Sequence, residues 1–324
     1  MNTPSLLSER INSYLESLNY SRTPKELYAP ISYTLFLGGK RLRPLLMLMG
    51  ANLWTEDTDA LLPAAAGLEI YHNFTLLHDD LMDKADRRRN QLTVHRKWNE
   101  NVAILSGDTM LILAYEYFMQ TRSPYMESMV RSFTTAAREV CEGQQMDMEF
   151  ESRCDVTETE YLEMIRLKTS VLLAAALRIG AEYAGAPVQD AEKLYRFGES
   201  IGLAFQLQDD YLDVYGDPKT FGKNIGGDIL CNKKTWMLIK CLQKADDQQE
   251  IQLRGWMNRK DYLAEEKIAA VTELYDATNI PVLALEAIEY YYRKGLQELD
   301  SIAVPEEKKT ALKAYVELLL KRNK

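Results

Sequence analysis

Apolar residues recur at a spacing of three and four residues along almost the whole chain, for example across 60–82, 102–118, 161–183 and 191–215. This spacing collects them on one face of an α-helix. Alternation of apolar and polar residues between turn pairs, which would indicate strands, is hard to find. The ten prolines stand mostly where helices begin or are connected. The pattern predicts an all-α protein.

The chain shows no sequence feature that separates domains. No low-complexity linker, change of composition or repeat of about 20 to 50 residues interrupts its 324 residues. The two substantial loops, 84–98 and 216–232, are rich in charge or glycine, and each follows an aspartate-rich segment. We expect residues 1–324 to form a single-domain helical bundle around a central cavity.

Composition excludes several classes of protein. The 46% hydrophobic and 27% charged residues are typical of a globular protein, and a net charge of −9 argues against nucleic-acid binding. No apolar run reaches the roughly 18 residues of a membrane span, and the first residues do not resemble a secretory signal. The four cysteines lack a metal or redox spacing. We expect a cytoplasmic protein with free thiols and no integral membrane segment.

Two acidic segments have the same spacing, DDLMD at 79–83 and DDYLD at 209–213. The first and last aspartates of each are four residues apart, so a helix places both carboxylates on one face, about 6 Å apart. Such a pair repels unless a cation lies between, and the C-terminal end of a helix adds negative potential. Magnesium fits, because it is commonly held by one or two carboxylates together with substrate phosphates. The alternative is that each segment is only a solvated helix end. A chance pattern of this kind is far rarer in two copies than in one.

The sequence around these segments resembles the trans-isoprenyl diphosphate synthases of the polyprenyl synthetase family, and the resemblance extends over nearly the whole chain. The segments that carry the resemblance are GGKRLRP at 38–44, HDDLMD at 78–83, RRNQLTVH at 88–95, GQQMD at 143–147, KTS at 168–170, FQLQDDYLD at 205–213, GDPKTFGKNIGGDI at 216–229 and NKKTW at 232–236. Asn90 and Leu92 replace the glycine and proline that usually follow the arginine pair.

The resemblance implies an isoprenoid synthase fold and a magnesium-dependent, head-to-tail condensation. Isopentenyl diphosphate would join an allylic diphosphate (dimethylallyl, geranyl or farnesyl) by ionisation, condensation and elimination, giving geranylgeranyl or farnesyl diphosphate. Three magnesium ions would bind the allylic diphosphate and make it a better leaving group. The implied metal-binding residues are Asp79, Asp80, Asp83, Asp209, Asp210 and Asp213. Of these, Asp79, Asp83 and Asp209 would be the principal ligands.

Further positions match the family's substrate and catalytic residues. The isopentenyl diphosphate would be bound, without metal, by Lys40, Arg43, His72 and Arg89. The allylic diphosphate would be contacted by Arg88, Lys223 and Lys233. The developing allylic cation would face Lys168, Thr169 and Gln206. The alternatives are a solvated surface for the arginine run 87–89 and a core position for His72 or His78.

Product length is expected to depend on the helix that precedes Asp79. Phe74 lies five positions earlier, about 7.5 Å along the axis, where an aromatic ring would limit the length of the allylic tail. Thr75 beside it is small. The alternative is that Phe74 packs in the core. Lengths of fifteen and twenty carbons both stay open.

Two other functions compete with chain elongation. A terpene cyclase shares the helical fold but does not need a second diphosphate site, and a non-catalytic partner subunit of another prenyl synthase usually lacks an aspartate motif. The basic residues Lys40, Arg43 and Arg89 and two complete motifs favour elongation. The family resemblance also implies a homodimer.

Overall fold

Helices make up almost all regular structure in the computed structural model, which describes residues 2–217 and 225–321. The α-helices are α1 Pro4–Ser17, α2 Lys25–Phe36, α3 Leu42–Ala51, α4 Leu62–Met82, α5 Val94–Lys97, α6 Glu100–Phe118, α7 Met126–Ser152, α8 Glu158–Ile165, α9 Val171–Tyr183, α10 Val188–Tyr215, α11 Gly227–Leu230, α12 Trp236–Lys244, α13 Asp247–Asn258, α14 Ala264–Ala277, α15 Ile280–Asp300 and α16 Glu306–Leu320. The predicted all-α class is confirmed.

Two short elements supplement the α-helices. A 3₁₀ turn at Asp59–Leu61 leads into α4, and a π-helical turn at Arg166–Ser170 joins α8 to α9. In the described part of the chain the only sheet is a two-stranded antiparallel hairpin, with β1 at Arg87–Arg88 and β2 at Gln91–Leu92. Both the π turn and the hairpin overlap segments that carry the family resemblance.

The helix boundaries have local causes that the sequence carries. Thr3 accepts a hydrogen bond from the Leu6 backbone N–H at 3.3 Å and so caps α1, and Thr157 forms a reciprocal capping box with Glu160 at the start of α8. Pro281 occupies the first turn of α15, where its missing N–H costs no hydrogen bond. These caps satisfy backbone donors that a helix start leaves without partners.

The described residues divide into two compact units, Met1–Phe133 with Ala176–Ala191, and Thr134–Ala175 with Glu192–Lys324. The unit boundaries fall within α7, α9 and α10. The single domain expected over 1–324 stays a prediction.

The first unit has its core along α4, which packs most extensively against α6. Most of α4 is buried, because it carries small residues at Ala64–Gly67 and large apolar residues further on. Phe118 stacks on Phe133 at 5.0 Å between ring centroids, and Tyr71 meets Phe133 edge-on at 5.3 Å. Burial of each such ring contributes about 1.5–3 kcal/mol, so this cluster fixes the position of α4.

The second unit has its core around α12, whose residues Trp236–Ile239 are buried among side chains of α8, α10, α14 and α15. Lys267 of α14 is also buried, at 1% exposure, and its ammonium group donates to the Asn232 side chain at 2.7 Å. A buried ammonium requires such partners. Lys267 therefore anchors the segment that follows α11.

No helix in 2–217 or 225–321 combines the length and the apolar composition that crossing a bilayer requires.

Candidate active site

The first aspartate motif forms the last turn of α4. Asp79 is half-buried, Asp80 is 6% exposed and Asp83 lies at the exposed helix end. Arg88 donates from Nε to both oxygens of Asp80, at 2.8 and 2.9 Å, and its Nη2 lies 3.3 Å from Asp79 Oδ2. Burial raises the pKa of Asp80, and the hydrogen bond from Arg88 partly opposes this. The middle aspartate is thus turned into the protein, with Arg88 as its partner.

A tight hairpin places Arg88 against the motif. Its two central residues, Arg89 and Asn90, have φ values of 51° and 62°. Two left-handed residues in a two-residue loop define a type I′ turn, and asparagine tolerates that conformation better than most residues. Thr93 Oγ1 closes the base of the loop by donating to the Ala85 carbonyl at 2.7 Å. Asn90 therefore serves here in place of the family's usual glycine.

A cluster of basic side chains lies in the same unit. Arg43 Nη1 is 2.9 Å from His72 Nε2, and the Arg89 guanidinium packs against Gly39. Burial lowers the pKa of His72 well below its usual value, and Arg43, Arg89, Arg88 and Arg41 lower it further. His72 is therefore neutral and accepts the hydrogen bond of Arg43. Lys40, beside Gly39, is exposed.

The basic cluster has the chemistry of an anion site. Burial lowers the pKa of Arg43 to about 10, so its guanidinium stays charged at neutral pH. The Nε atom of Arg43 is buried without a hydrogen-bond partner. Arginine side chains offer donors in a planar fork that matches phosphate oxygens. Positive groups held this close are stabilised by an anion between them, and a diphosphate has the required charge.

Phe74 and its neighbours form an aromatic column on α4. The ring of Phe74 lies 5.5 Å from that of Tyr71 and 4.8 Å from that of His78, and Tyr71 in turn packs on Phe133. Phe74 is 9% exposed. Thr75 is half-buried, and its hydroxyl donates to the His72 carbonyl at 2.8 Å. A ring buried this well can limit the length of a bound apolar tail only if the neighbouring space accepts such a tail.

His78 has a packing role in the structure. Its Nε2 is 3.2 Å from the Ile104 carbonyl, and a Cβ at Gly107 would lie 2.1 Å from the same nitrogen. Only glycine at position 107 leaves room for this ring. The contact joins the end of α4 to α6, one residue before Asp79.

The second aspartate motif lies near the end of α10, in the other unit. Asp210 is 2% exposed, the Tyr161 hydroxyl donates to its Oδ2, and Gln206 Nε2 donates to its Oδ1 at 3.2 Å. Burial raises the pKa of Asp210 to about 7, while Lys233 lowers it and Asp228 raises it. Asp209 and Asp213 are half-buried, and Asp213 Oδ2 accepts from the Asp228 backbone N–H at 2.9 Å. The middle aspartate is again turned into the protein.

The predicted cation-facing residues lie close together in this unit. Lys168 and Thr169 belong to the π turn, a form of helix that is frequent at functional sites. Thr169 Oγ1 donates to Gln206 Oε1 at 3.2 Å, and Lys168 Nζ is 2.6 Å from Asp147 Oδ2. The structure thus places Gln206 against Asp210 and Thr169 against Gln206, with Lys168 next to Thr169 in the chain.

Lys233 lies near the same motif. Burial lowers its pKa, but the carboxylates of Asp228, Asp210 and Asp147 outweigh that and raise it, so Lys233 is charged at neutral pH. Its Nζ is 3.5 Å from Asp228 Oδ1. Lys223, predicted to act with it, lies outside the described residues.

Four structural partners were not identified as site residues from the sequence. Asp147 and Asp228 stand within the segments GQQMD and GDPKTFGKNIGGDI, so their motifs were visible but their roles were not. Tyr161 and Glu69 gave no local signal. Tyr161 reaches Asp210 across 49 residues, and Glu69 reaches Arg41 across 28. Contacts between residues so distant in sequence depend on tertiary packing.

The carboxylates fit magnesium as a metal that shares its ligands with substrate. Within 2–217 and 225–321 no three Asp, Glu, His or Cys side chains are grouped closely enough to hold a metal ion by themselves. Magnesium commonly takes one or two carboxylates and fills its octahedron with water and phosphate oxygens. The donor set of each motif suits that mode of binding.

An all-helical chain with two aspartate motifs and a basic cluster is typical of synthases that act on prenyl diphosphates. The chain belongs to the polyprenyl synthetase family, whose sequence model matches residues 24–275, and it is a prenyltransferase.

Known proteins agree with this placement. The geranylgeranyl diphosphate synthase of Methanosarcina mazei is 37% identical over 295 residues, 90% of this chain and 89% of the relative. A crystal structure of a geranylgeranyl pyrophosphate synthase matches at 42% identity with a TM-score of 0.94, covering 100% of both chains. The geranylgeranyl pyrophosphate synthase of Corynebacterium glutamicum, solved with isoprenyl diphosphate and magnesium, matches at 28% identity with a TM-score of 0.86, covering 99% of this chain and 98% of that one.

Proposed function

We propose that the protein condenses isopentenyl diphosphate with an allylic diphosphate and releases geranylgeranyl diphosphate as its main product. The observation that carries the proposal is the basic cluster around neutral His72, in the same unit as the first aspartate motif. A metal-bound diphosphate needs carboxylates, whereas a diphosphate bound without metal needs cationic donors. Both kinds of group are present, as a reaction between two diphosphates requires.

Asp79, Asp83, Asp209 and Asp213, the outer aspartates of the two motifs, would hold magnesium, and the magnesium would bind the allylic diphosphate. Three ions per active site would offset the negative charge of the diphosphate together with that of the aspartates. When bound, magnesium supplies the positive charge that makes diphosphate a good leaving group. Asp80 and Asp210 act as supports, because protein donors already contact both of their oxygens.

The isopentenyl diphosphate is bound by Lys40, Arg43, His72 and Arg89. Arg43 and Arg89 offer guanidinium donors, and Lys40 adds an exposed ammonium group. His72 also orients the guanidinium of Arg43. Binding without metal leaves the double bond of this substrate as the nucleophile.

The allylic cation is stabilised by preorganised dipoles. The hydroxyl of Thr169 and the amide oxygen of Gln206 are held 3.2 Å apart on rigid helical turns, so no reorganisation is needed when positive charge develops. Lys168, Arg88, Lys223 and Lys233 serve the allylic diphosphate, with Asp147 fixing the Lys168 ammonium. The proton lost at the end goes to the released diphosphate, so no protein base is assigned.

Product length rests on Phe74. Its ring is buried and is backed by Tyr71 and Phe133, so this stretch of α4 is rigid. A twenty-carbon product is favoured over a fifteen-carbon one because the residue beside it, Thr75, is small.

A homodimer is proposed from an apolar stripe on α6. Leu105 and Ile112 of α6 and Met119 directly after its end are spaced by seven residues and are about 60% exposed, so they lie on one face. An apolar row of this kind is typical of a helix that packs against another helix.

A cytoplasmic location stays a prediction from the sequence.

The experiment that tests the function is product analysis. Purified protein with magnesium and labelled isopentenyl diphosphate is incubated with dimethylallyl, geranyl or farnesyl diphosphate, and the dephosphorylated products are separated by chain length. We expect twenty-carbon alcohol from every primer. Cyclic hydrocarbon from a single diphosphate would show a terpene cyclase instead, and absence of any elongated product would overturn the enzymatic proposal.

A further inference from the structure

The basic segment, residues 38–44, comprises part of the connection between α2 and α3 and the first residues of α3, and its first four residues have an irregular backbone. Gly38, Gly39 and Arg41 have φ values of 83°, 145° and 47°. Within the described part of the chain, Gly38, Gly39 and Lys40 make no backbone–backbone hydrogen bond. Backbone pairing therefore does not hold residues 38–40, which present Lys40, whereas Arg43 lies in the first turn of α3.

Packing holds only part of the segment, where the Arg89 guanidinium lies against Gly39. A Cβ on Gly38 would meet no atom within 4 Å, and Lys40 is exposed. On one side the segment borders a cavity of about 210 Å³ that is also lined by Asn12 and Glu16 of α1. A segment with open space beside it needs specific side-chain contacts to keep one conformation.

Arg41 supplies those contacts. Its side chain is 12% exposed, its Nη1 lies 2.7 Å from Glu69 Oε1, and its Nη2 donates to the Leu35 carbonyl at 2.5 Å. One guanidinium thus ties the segment to α4 and to the end of α2. The left-handed conformation of Arg41, which costs about 1 kcal/mol in a residue other than glycine, persists because these bonds hold it.

Glu69 carries a buried negative charge in the middle of the basic cluster. It is 2% exposed, Asn73 Nδ2 donates to its Oε1 at 3.0 Å, and its Oε2 is buried without a hydrogen-bond partner. Burial lowers the pKa of both Arg43 and Arg89, and in each case Glu69 makes the largest opposing contribution. Glu69 is therefore the counterion that allows these arginines to stay close together before a substrate binds.

Glu69 and His72 lie about one turn apart on the same face of α4. Glu69 contacts Arg41, and His72 contacts Arg43. The two bonds attach the basic segment to α4 on both sides of Leu42, and α4 also ends in the first aspartate motif.

We propose that Arg41 and Glu69 are positioning residues for the diphosphate that binds without metal. They do not contact it. They hold Lys40 and Arg43 in place before the diphosphate binds. The conformational entropy of the segment is then already lost, and its ordering does not weaken binding. The inference rests on the proposed function of Lys40 and Arg43 as ligands of isopentenyl diphosphate.

The test compares steady-state kinetics of Arg41→Met, Glu69→Gln, the double variant and Arg41→Lys. We expect the single variants to raise the KM for isopentenyl diphosphate roughly 10- to 100-fold, by analogy with other supporting residues. The KM for the allylic substrate and the kcat at saturation should change less than about threefold. The double variant should be no worse than the poorer single variant, since the two residues act as a pair. Arg41→Lys should recover part of the loss, because an ammonium reaches Glu69 but does not reproduce the second bond to Leu35.

A matched control separates positioning from general stability. Arg178 and Glu182 form another half-buried ion pair in the same unit, with 3.0 Å between Arg178 Nε and Glu182 Oε1. Arg178→Met should lower the melting temperature and leave both KM values unchanged. If Arg41→Met and Arg41→Lys raised both KM values equally, or lowered only the melting temperature, the positioning role would be wrong. If Glu69→Gln did not fold, the KM values of Arg41→Lys would still decide whether Arg41 has a positioning role.

A reference variant tests the underlying assignment separately. Arg43→Met should raise the KM for isopentenyl diphosphate more than any change at Arg41. If it left that KM unchanged, the proposed ligand role of Arg43 would fail, and with it the site that Arg41 is proposed to position. A selective effect at Arg43 without one at Arg41 or Glu69 would overturn the positioning proposal alone.

Discussion

Arg88 donates from one nitrogen to both carboxylate oxygens of Asp80, at 2.8 and 2.9 Å. In the second motif, Tyr161 and Gln206 together do the same for Asp210. The middle aspartates of the two motifs are thus buried and already paired, although the partner side chains differ. The outer aspartates lie nearer the surface.

Substitutions within each motif should therefore have unequal effects. Asp79→Asn and Asp209→Asn are expected to lower kcat by about a thousandfold or more, because they remove proposed metal ligands. Asp80→Asn and Asp210→Asn should cost about 10- to 100-fold, as expected for groups that orient ligands. The measurement is kcat as a function of magnesium concentration. Equal losses at middle and outer positions would contradict the assigned difference.

His72 should make stability depend on pH. Its folded pKa lies well below the ordinary 6.5, so below pH 6.5 the unfolded chain binds a proton that the folded chain does not. Its contribution to the free energy of unfolding is present above that pH and is lost as the pH falls. Between pH 7.5 and 5.5 we expect a loss of about 1 kcal/mol, which His72→Gln should remove.

The measurement is urea unfolding of the wild-type protein and of His72→Gln, each in EDTA. Asp210 acts in the opposite direction, because its pKa rises from 3.8 to about 7 on folding, and its proton stabilises the folded chain as the pH falls through 7. Asp210 is present in both proteins, so its effect cancels in the comparison. An identical pH dependence for wild type and His72→Gln would show that His72 is not held neutral.

Phe74→Ala should lengthen the product. Removal of the ring opens space along α4 toward Tyr71, so chromatography of the products should show species beyond twenty carbons. Phe36→Ala removes a ring that is 57% exposed and should leave chain length unchanged. Because truncation of a buried phenylalanine costs about 3–5 kcal/mol, Phe74→Leu provides a milder second variant. No change of length in either variant would place Phe74 in the core only.

Gly107→Ala should disturb the end of α4. The added methyl group would lie 2.1 Å from His78 Nε2, so His78 must move, and Asp79 follows it in the chain. We expect a loss of roughly 1–3 kcal/mol of stability together with a higher magnesium concentration for half-maximal activity.

Gly255→Ala is the matched control for Gly107→Ala. Gly255 lies within α13, and a Cβ there meets nothing within 4 Å. This substitution should stabilise the protein by up to about 1 kcal/mol, because alanine favours helix over glycine. Thermal unfolding and magnesium titration of both variants check the pair. Equal behaviour would mean that the contact with His78 does not matter.

The stripe on α6 should control assembly. Ile112→Glu places a charge in the row of exposed apolar residues and should shift the mass measured by light scattering from dimer to monomer. Ile251→Glu changes an isoleucine of α13 that is 71% exposed, and it should leave the mass unchanged. A dimer that persisted in Ile112→Glu, or a wild-type monomer, would contradict the proposal.

Much of the local structure follows from the sequence because its causes are local. The periodicity of apolar residues predicted helices at α4, α6 and α10, and capping residues such as Thr3 and Thr157 stand where helices begin. The DDLMD and DDYLD segments were identifiable because four-residue spacing determines which side chains share a helical face. The hairpin at Arg89 and Asn90 was not predicted. Its turn depends on two residues in the left-handed conformation, which the apolar periodicity does not indicate.

The sequence by itself determined the helical class, the two aspartate motifs and the residue types needed to bind two diphosphates. Only the tertiary structure decided that Asp80 and Asp210 face inward, that His72 is neutral among arginines, and that Glu69 lies beneath the basic segment. The physical reason is that burial and charge pairing depend on groups far apart in sequence. Desolvation and Coulomb energy are set by the distances and dielectric surroundings that packing creates, and no local pattern encodes them.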